Sequence, residues 1–265
     1  MSDVYTTHMT RHGREAQRLE QQFNTMTENI GYLVHPSIGP LLPAAPRVID
    51  IGTGTGIFLL RLREAYPDGA FEGIDISGDM FPAAGTGGGS KFAVRDMKLP
   101  FPDEMLGRYD LWEPAVRNLA TLLKPGGFLQ WEEGDFLHAP YLRSGAAPTG
   151  CDVSYALLQA FRDGLNERFS YGWSTLSSYM RAAGLAPVVT DVVASDRLPE
   201  TRARTTTNLM NLAVSWAQLM AQRGAPGAKT AEELDYAEGK VWEEIQSGFY
   251  VSYNIHVAYG RKALG

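Results

Sequence analysis

Residues 48–56 read VIDIGTGTG, and this stretch decides the fold. RVIDIG, from Arg47, is a short, β-branched and almost fully apolar run, the pattern of a strand buried on both faces. Gly52, Gly54 and Gly56 follow at once, and TGTGIFLLRLREAYP then opens a helix with Ile57, Leu60 and Ala65 at helical spacing and Pro67 after its end. A strand that feeds a glycine-rich turn at the start of a helix lies in the crevice where open α/β sheets bind ligands. The three glycines let the backbone approach a ligand with no side chain in the way. The helix N-terminus behind them offers unpaired amides to a carboxylate or phosphate.

Two ligand classes compete for such a turn. The dinucleotide pattern GxGxxG needs glycine or alanine at position 57, but Ile57 stands there and the third glycine comes one residue early. Asp50, inside the strand just ahead of the turn, can order the turn or face a ligand's amino group. Asp75 closes a second strand, AFEGIDI (Ala70–Ile76), 19 residues beyond Gly56 (75 minus 56). An acid there can accept hydrogen bonds from both hydroxyls of a ribose, and a ribose without a 2′-phosphate tolerates its charge. The spacing favours a turn for S-adenosylmethionine. FAVRDM places Asp96 and Met97 at the end of a third strand, where an adenine amino group and ring face would lie. A solvated loop aspartate is the rival reading of Asp96.

Outward from this core the chain alternates strands and helices, which implies an α/β fold with a parallel sheet covered on both faces. A polar helix from Gly13 to about Met26, with only Ala16, Leu19, Phe23 and Met26 apolar, is expected to pack as a cover. A Pro-rich connector runs from His35 to Pro46. RYDL reads as a short strand, EPAVRNLATLL as a helix with proline in its first turn, KPGG as a stop and FLQWEEGD as a strand. Helices are expected at Asp152–Arg168, Ser174–Ala183, Arg202–Gln222 and Ala231–Gln246, and strands at Pro187–Ser195 and Tyr250–Gly260. In FYVSYNIHVAYG, Phe249, Val251, Tyr253, Ile255 and Val257 share one face. A single domain is expected, with residues 1–46 as cover, 47–135 as the cofactor-binding core and 136–265 as lid helices and last strands.

The 265 residues carry a net charge of -6, which argues against a nucleic-acid partner, because that needs clustered Lys and Arg. Cys151 is the single cysteine, so no intrachain disulfide and no cysteine-rich metal site can form. The first residues are polar and lack the apolar core of a secretory signal, and no apolar run approaches the ~20 residues that cross a bilayer. A cytoplasmic protein without a membrane partner is expected.

EAQRLEQQF, GYLVHPSIG, RVIDIGTGTGIFLLRL, FEGIDIS, LPFPDE, WEPAVRNLATLLKPGGFLQWEEGDF and the terminal YGRK resemble the class I S-adenosylmethionine-dependent methyltransferases, and more narrowly the fungal secondary-metabolism methyltransferases and methyltransferase-like regulators. The resemblance implies that Asp50, Gly52, Thr53, Gly54 and Gly56 surround the methionine part of the cofactor, that Asp75 with Ile76 holds the ribose, and that Asp96 and Met97 border the adenine. It implies a Rossmann-like, mostly parallel seven-stranded sheet with an antiparallel last strand and a helical lid. This chain departs from the pattern between RYDL and WEPAV. The strand there has almost no length before Pro114 starts a helix, against a usual ~5–6 residues. Phe23 stands where the related pattern has histidine.

The sulfonium of S-adenosylmethionine already activates its methyl group, so the protein's main tasks are to align and desolvate an acceptor. Candidates for a base lie at the carboxyl end of QWEEGDFLH, namely Glu133 or His138, with a structural role as the rival reading of each. His8, His12, His35 and His256 are expected to be structural or solvated. Tyr171, Trp173, Met210, Trp216 and Met220 can wall an apolar acceptor pocket, aromatic or polyketide-like, or can equally be core. No metal-ligand cluster is visible, so no metal is expected. O-methylation of a small-molecule acceptor is the leading expectation, with a cofactor-binding regulator and a non-methylating cyclase as alternatives. Oligomerisation is left open.

Overall fold

The computed structural model describes residues 13–83, 85–95, 112–143, 150–169 and 173–265. Helix α1 (Gly13–Ile30) runs one turn beyond its expected end. Ile30 is buried in the lid core, and Gly31, at φ 89°, closes the helix by donating its amide to the Thr27 carbonyl. Strand β1 (Arg47–Ile51) then leads into the glycine turn, followed by α2 (Ile57–Ala65), β2 (Ala70–Asp75) and β3 (Lys91–Val94). These three strands form a parallel sheet in the order β1-β2-β3, with Asp50 opposite Gly73 and Asp75 opposite Val94.

The buried face of α2 is Leu59 and Leu62, packed on Phe71 of β2, not the expected Ile57, Leu60 and Ala65. Gly56 sits at φ 75° as the residue before the first turn and thereby sets the phase of the helix. A β-carbon on Gly56 would lie 2.8 Å from the Phe92 ring, one on Gly73 2.7 Å and one on Gly87 2.8 Å. Three glycines far apart in sequence therefore make room for one aromatic ring, which joins α2, β2 and β3.

The second half comprises α3 (Trp112–Leu122), β4 (Phe128–Asp135), β5 (Tyr141–Arg143), α4 (Asp152–Phe169), α5 (Leu176–Ala182), β6 (Leu185–Ala194), α6 (Arg202–Gln222), α7 (Ala231–Gln246), β7 (Phe249–Val251) and β8 (Asn254–Lys262). Strand β8 is antiparallel to both β4 and β6, in the order β4-β8-β6, and β5 pairs with β7. Among the described residues there is thus no seven-stranded, mostly parallel sheet: only β1, β2 and β3 run parallel, and no described strand joins β1 to β4. The expected RYDL strand lies outside the described residues. The expected last strand does run antiparallel, but it divides into β7 and β8. Between them the Ser252 hydroxyl donates to Asp196 at 2.6 Å and the Tyr253 amide donates to the Ser195 hydroxyl at 2.9 Å, beside backbone bonds from the Ser195 amide to the Tyr253 carbonyl and from the Ser252 amide to the Pro140 carbonyl. Phe249, Val251, Tyr253, Ile255 and Val257 nevertheless all enter one core.

That core joins these residues to Leu157, Leu158 and Phe161 of α4 and to Leu209, Met210 and Ala213 of α6. On the other face of β8, Ala258 packs with Val116 and Ala120 of α3 and Leu176 and Met180 of α5. Helix α1 is clamped to α6. Arg18 donates to Asn208 Oδ1 at 3.0 Å, and Asn208 Nδ2 donates back to the Arg18 carbonyl at 2.6 Å. Asn29 donates to Thr201 at 2.8 Å. The connector after α1 is fixed as firmly. The Ser37 amide donates to His35 Nδ1 at 3.1 Å, so a neutral ring carries its proton on Nε2, which faces Asp191 at 3.0 Å. Tyr32 donates to the same Asp191 oxygen at 2.9 Å, which gives His35 a structural role. No helix among the described residues is long and apolar enough to cross a membrane.

Candidate active site

The glycine turn consumes most of its own amides. Gly52 and Thr53 both donate to the Ile74 carbonyl, at 2.8 and 3.1 Å, Gly54 donates to Asp75 Oδ2 at 2.9 Å, and Gly56 donates to the Thr53 carbonyl at 2.8 Å. These four amides belong to the turn itself, whereas the amides expected to be unpaired are those of the helix N-terminus behind it. A phosphate nest needs several amides converging on one anion, and this turn has bonded them to the protein. Within the turn these four amides are taken up by the protein, and Ile57 stands in place of the dinucleotide glycine.

What remains open in the turn is side-chain and steric capacity. Gly52 is at φ 71° with nothing within 4 Å of where a β-carbon would stand. Gly54, at φ 50°, is covered at 3.6 Å by Leu19 of α1. The Thr55 hydroxyl is buried without a hydrogen-bond partner among the described residues, an orphan that a polar ligand could satisfy. Gly56 differs in role, since the Phe92 ring and not a ligand excludes its side chain. Thr53 is buried and donates to Asp50 at 2.6 Å. Burial, with the Asp75 charge nearby, pushes the Asp50 carboxyl up to about 6 despite that hydrogen bond. Asp75 also accepts from the Ser77 amide at 3.1 Å, so its carboxylate spans the end of β2 and the turn. Beside it Ile76 is 38% exposed and Val94, ending β3, is 63% exposed, an apolar border that a ring face could cover. Val94 was not singled out from sequence; its only signal is an apolar residue closing a short strand. Asp96 and Met97 lie outside the described residues.

Glu132 and Glu133 point to opposite sides of β4. Glu132 accepts from Gln130 at 3.0 Å, and burial together with the Asp50 charge raises it to about 7. This places the middle of β4 level with the end of β1. Glu133 accepts from the Trp131 indole and the Gly134 amide, while burial pushes it up to about 7 as well. A carboxyl poised there can take or give a proton at neutral pH. Asp135 is buried at the end of β4 and holds His138, accepting from the His138 amide at 3.1 Å and facing Nδ1 at 3.0 Å. An acid that orients an imidazole in this way leaves Nε2 directed outward. His138 meets Trp173 edge-on at 5.4 Å.

The structure thus brings together Glu133, His138 and Trp173, and separates them from three other candidates. Met210 is buried in the lid core, and Trp216 packs on that core with Phe161 at 6.1 Å, over Gly164. Met220 is half-buried on the same helix, and Tyr171 lies outside the described residues. His8 and His12 do as well.

No family model matches the chain. Methyltransferase grgD of a Penicillium species is 32% identical over 144 residues, covering 46% of this chain and 50% of that protein. N-methyltransferase sirN of Leptosphaeria maculans is 30% identical over 139 residues, covering 46% and 48%. The chain is similar to fungal methyltransferases. It spans about half the length of the curated relatives it matches. Among solved structures, phosphoethanolamine N-methyltransferase 2 of Haemonchus contortus, with phosphomonomethylethanolamine and S-adenosylhomocysteine bound, is 14% identical with a TM-score of 0.48, covering 98% of this chain and 59% of that one.

Proposed function

We propose that the protein is an S-adenosylmethionine-dependent methyltransferase acting on a small molecule, at oxygen in the first instance. The observation that carries this is the turn whose amides are already paired, with the Asp75 carboxylate at its edge. It suits a nucleoside without phosphates, and the similarity to fungal methyltransferases supports the same cofactor. Asp50, Gly52, Thr53 and Gly54 would hold the methionine part, Asp75 and Ile76 the ribose, and Ile76 with Val94 an adenine face. Asp96 and Met97 are kept as candidates for the adenine border. When bound, the cofactor supplies an electrophilic methyl group on a sulfonium.

The chain's own residues then have three tasks. The ionised Asp50 and Glu132 carboxylates offer charge to a cationic ligand, whose arrival would lower both from their raised values. Leu19 lies over Gly54 and shields that part of the turn. Glu133 and the Asp135-held His138 border the acceptor, with Trp173 as an aromatic wall. That wall supports the reading of an aromatic or polyketide-like acceptor. One domain, with the cover and lid closing over a common site, is part of this reading.

Calorimetric titration with S-adenosylhomocysteine tests it. The unmodified protein should bind the ligand and ignore NAD. Asp75→Ala should weaken binding by tenfold to a hundredfold, about 1.4–2.8 kcal/mol. Folded protein that takes up NAD but not S-adenosylhomocysteine would overturn the cofactor assignment.

A further inference from the structure

Strand β8 sends alternate side chains to its two sides, and His256 belongs to the side of Ala258, facing α3 and α5. In the antiparallel ladder it stands directly opposite Glu133 of β4 and Val192 of β6. Trp173 lies against its ring at 5.2 Å between centroids and meets His138 with its edge. The Asp135 charge reaches His256 from the end of β4. One imidazole is therefore surrounded by Glu133, Asp135, His138 and Trp173, the groups already placed around the acceptor.

His256 Nε2 is buried, yet it has no hydrogen-bond partner among the described residues. A buried polar atom left unpaired is costly, so such an atom in a cluster of functional groups marks a place for a ligand's polar atom. His138 is the weaker choice for that contact, since two-thirds of its side chain is exposed and Asp135 already fixes its Nδ1. Burial holds the His256 ring below the ordinary imidazole range, so it is neutral at neutral pH and has a lone pair to offer.

Building on the methyl-transfer reading, we propose that His256 Nε2 accepts a hydrogen bond from the reacting hydroxyl of a phenol- or enol-type acceptor and takes its proton, with Trp173 against the acceptor ring. A phenol arrives protonated at neutral pH, because its ordinary pKa is about 10. As the new oxygen–carbon bond forms and the sulfur–carbon bond breaks, the hydroxyl proton passes to Nε2. The products are the methyl ether, the neutral thioether and an imidazolium that Asp135 and Glu133 face, and the imidazolium later returns its proton to water. Proton removal by a positioned base of this kind contributes about 10²–10⁴ in rate.

Naphthol and its O-blocked counterpart methoxynaphthalene test the assignment on protein saturated with S-adenosylhomocysteine. The ¹⁵N resonance of His256 Nε2 should shift on adding naphthol and stay in place with methoxynaphthalene. His256→Phe, which keeps a ring in the same space, should weaken naphthol binding about tenfold, ~1.4 kcal/mol, with S-adenosylhomocysteine affinity unchanged. Naphthol that leaves the Nε2 signal unmoved, or that binds His256→Phe equally well, overturns the proposal. If S-adenosylhomocysteine itself does not bind, the methyl-transfer reading fails instead. The same naphthol titration on unloaded protein then still judges His256 as a hydroxyl-binding group.

Discussion

The two halves of the molecule are held together in different ways. The half that carries the glycine turn has a core of Leu59, Leu62 and Phe71, with Phe92 threaded through three glycines. The half that carries β8 and the lid buries Phe161, Phe249, Leu157, Leu158, Met210 and Ile255 almost completely. Burying a large apolar side chain is worth about 1.5–3 kcal/mol, so the lid half supplies most of the stability. The turn half is instead organised by hydrogen bonds, among them Thr53 to Asp50, the Gly54 amide to Asp75 and two amides on the Ile74 carbonyl. The dominant apolar core and the proposed cofactor contacts thus fall in different regions, and that separation can be attacked by substitution.

The largest effect is expected at Phe249, which is 1% exposed. Phe249→Ala should cost about 3–5 kcal/mol in denaturant unfolding. A single shifted transition would mean that the halves unfold together, whereas a second, unshifted transition would break the picture of a dominant lid core. Next comes Asp50, whose folded pKa of about 6 lies above its ordinary 3.8. The folded state then holds the proton more tightly than the unfolded state between those values. Stability from this group is present at low pH and is lost as pH rises through 6. Relative to Asp50→Asn, the unmodified protein should lose up to about 3 kcal/mol between pH 4 and pH 7. Parallel thermal melts of both proteins across that range would show it, and a constant difference would mean that Asp50 is not desolvated. The smallest effect is expected at Arg204, whose ion pair with Glu28 is about two-fifths exposed on each side. Arg204→Gln should cost under about 1 kcal/mol in the same melts, less again in high salt. A larger loss would show that the α1–α6 contact matters more than its exposure implies.

Much of this division was legible in the sequence. VIDIGTGTG and FEGID located the parallel strands and the turn, because a buried parallel strand reads as an unbroken apolar run. Arg202–Gln222 and Ala231–Gln246 came out at their observed bounds, since long periodic helices leave a strong trace. Phe249 to Val257 showed its inward face, but the break at Ser252 did not, because the partners of Ser252 and Tyr253, which are Pro140, Ser195 and Asp196, lie far away in sequence. The three-residue strand β5 was too short to show a period. At the site, the pattern of glycines did not reveal that a distant phenylalanine also requires Gly56. The unpaired Nε2 of His256 was not legible either, because spacing along a chain carries no record of an unmade bond.

The clamp between α1 and α6 reaches further than packing. Leu19 covers Gly54 one residue after Arg18, whose guanidinium and carbonyl are both bonded to Asn208. The cover over the turn is therefore expected to lift only when α6 moves with it. Residence time of a ligand in the turn would then depend on α6 as well as on α1, and changes at Asn208 would alter how fast the ligand leaves.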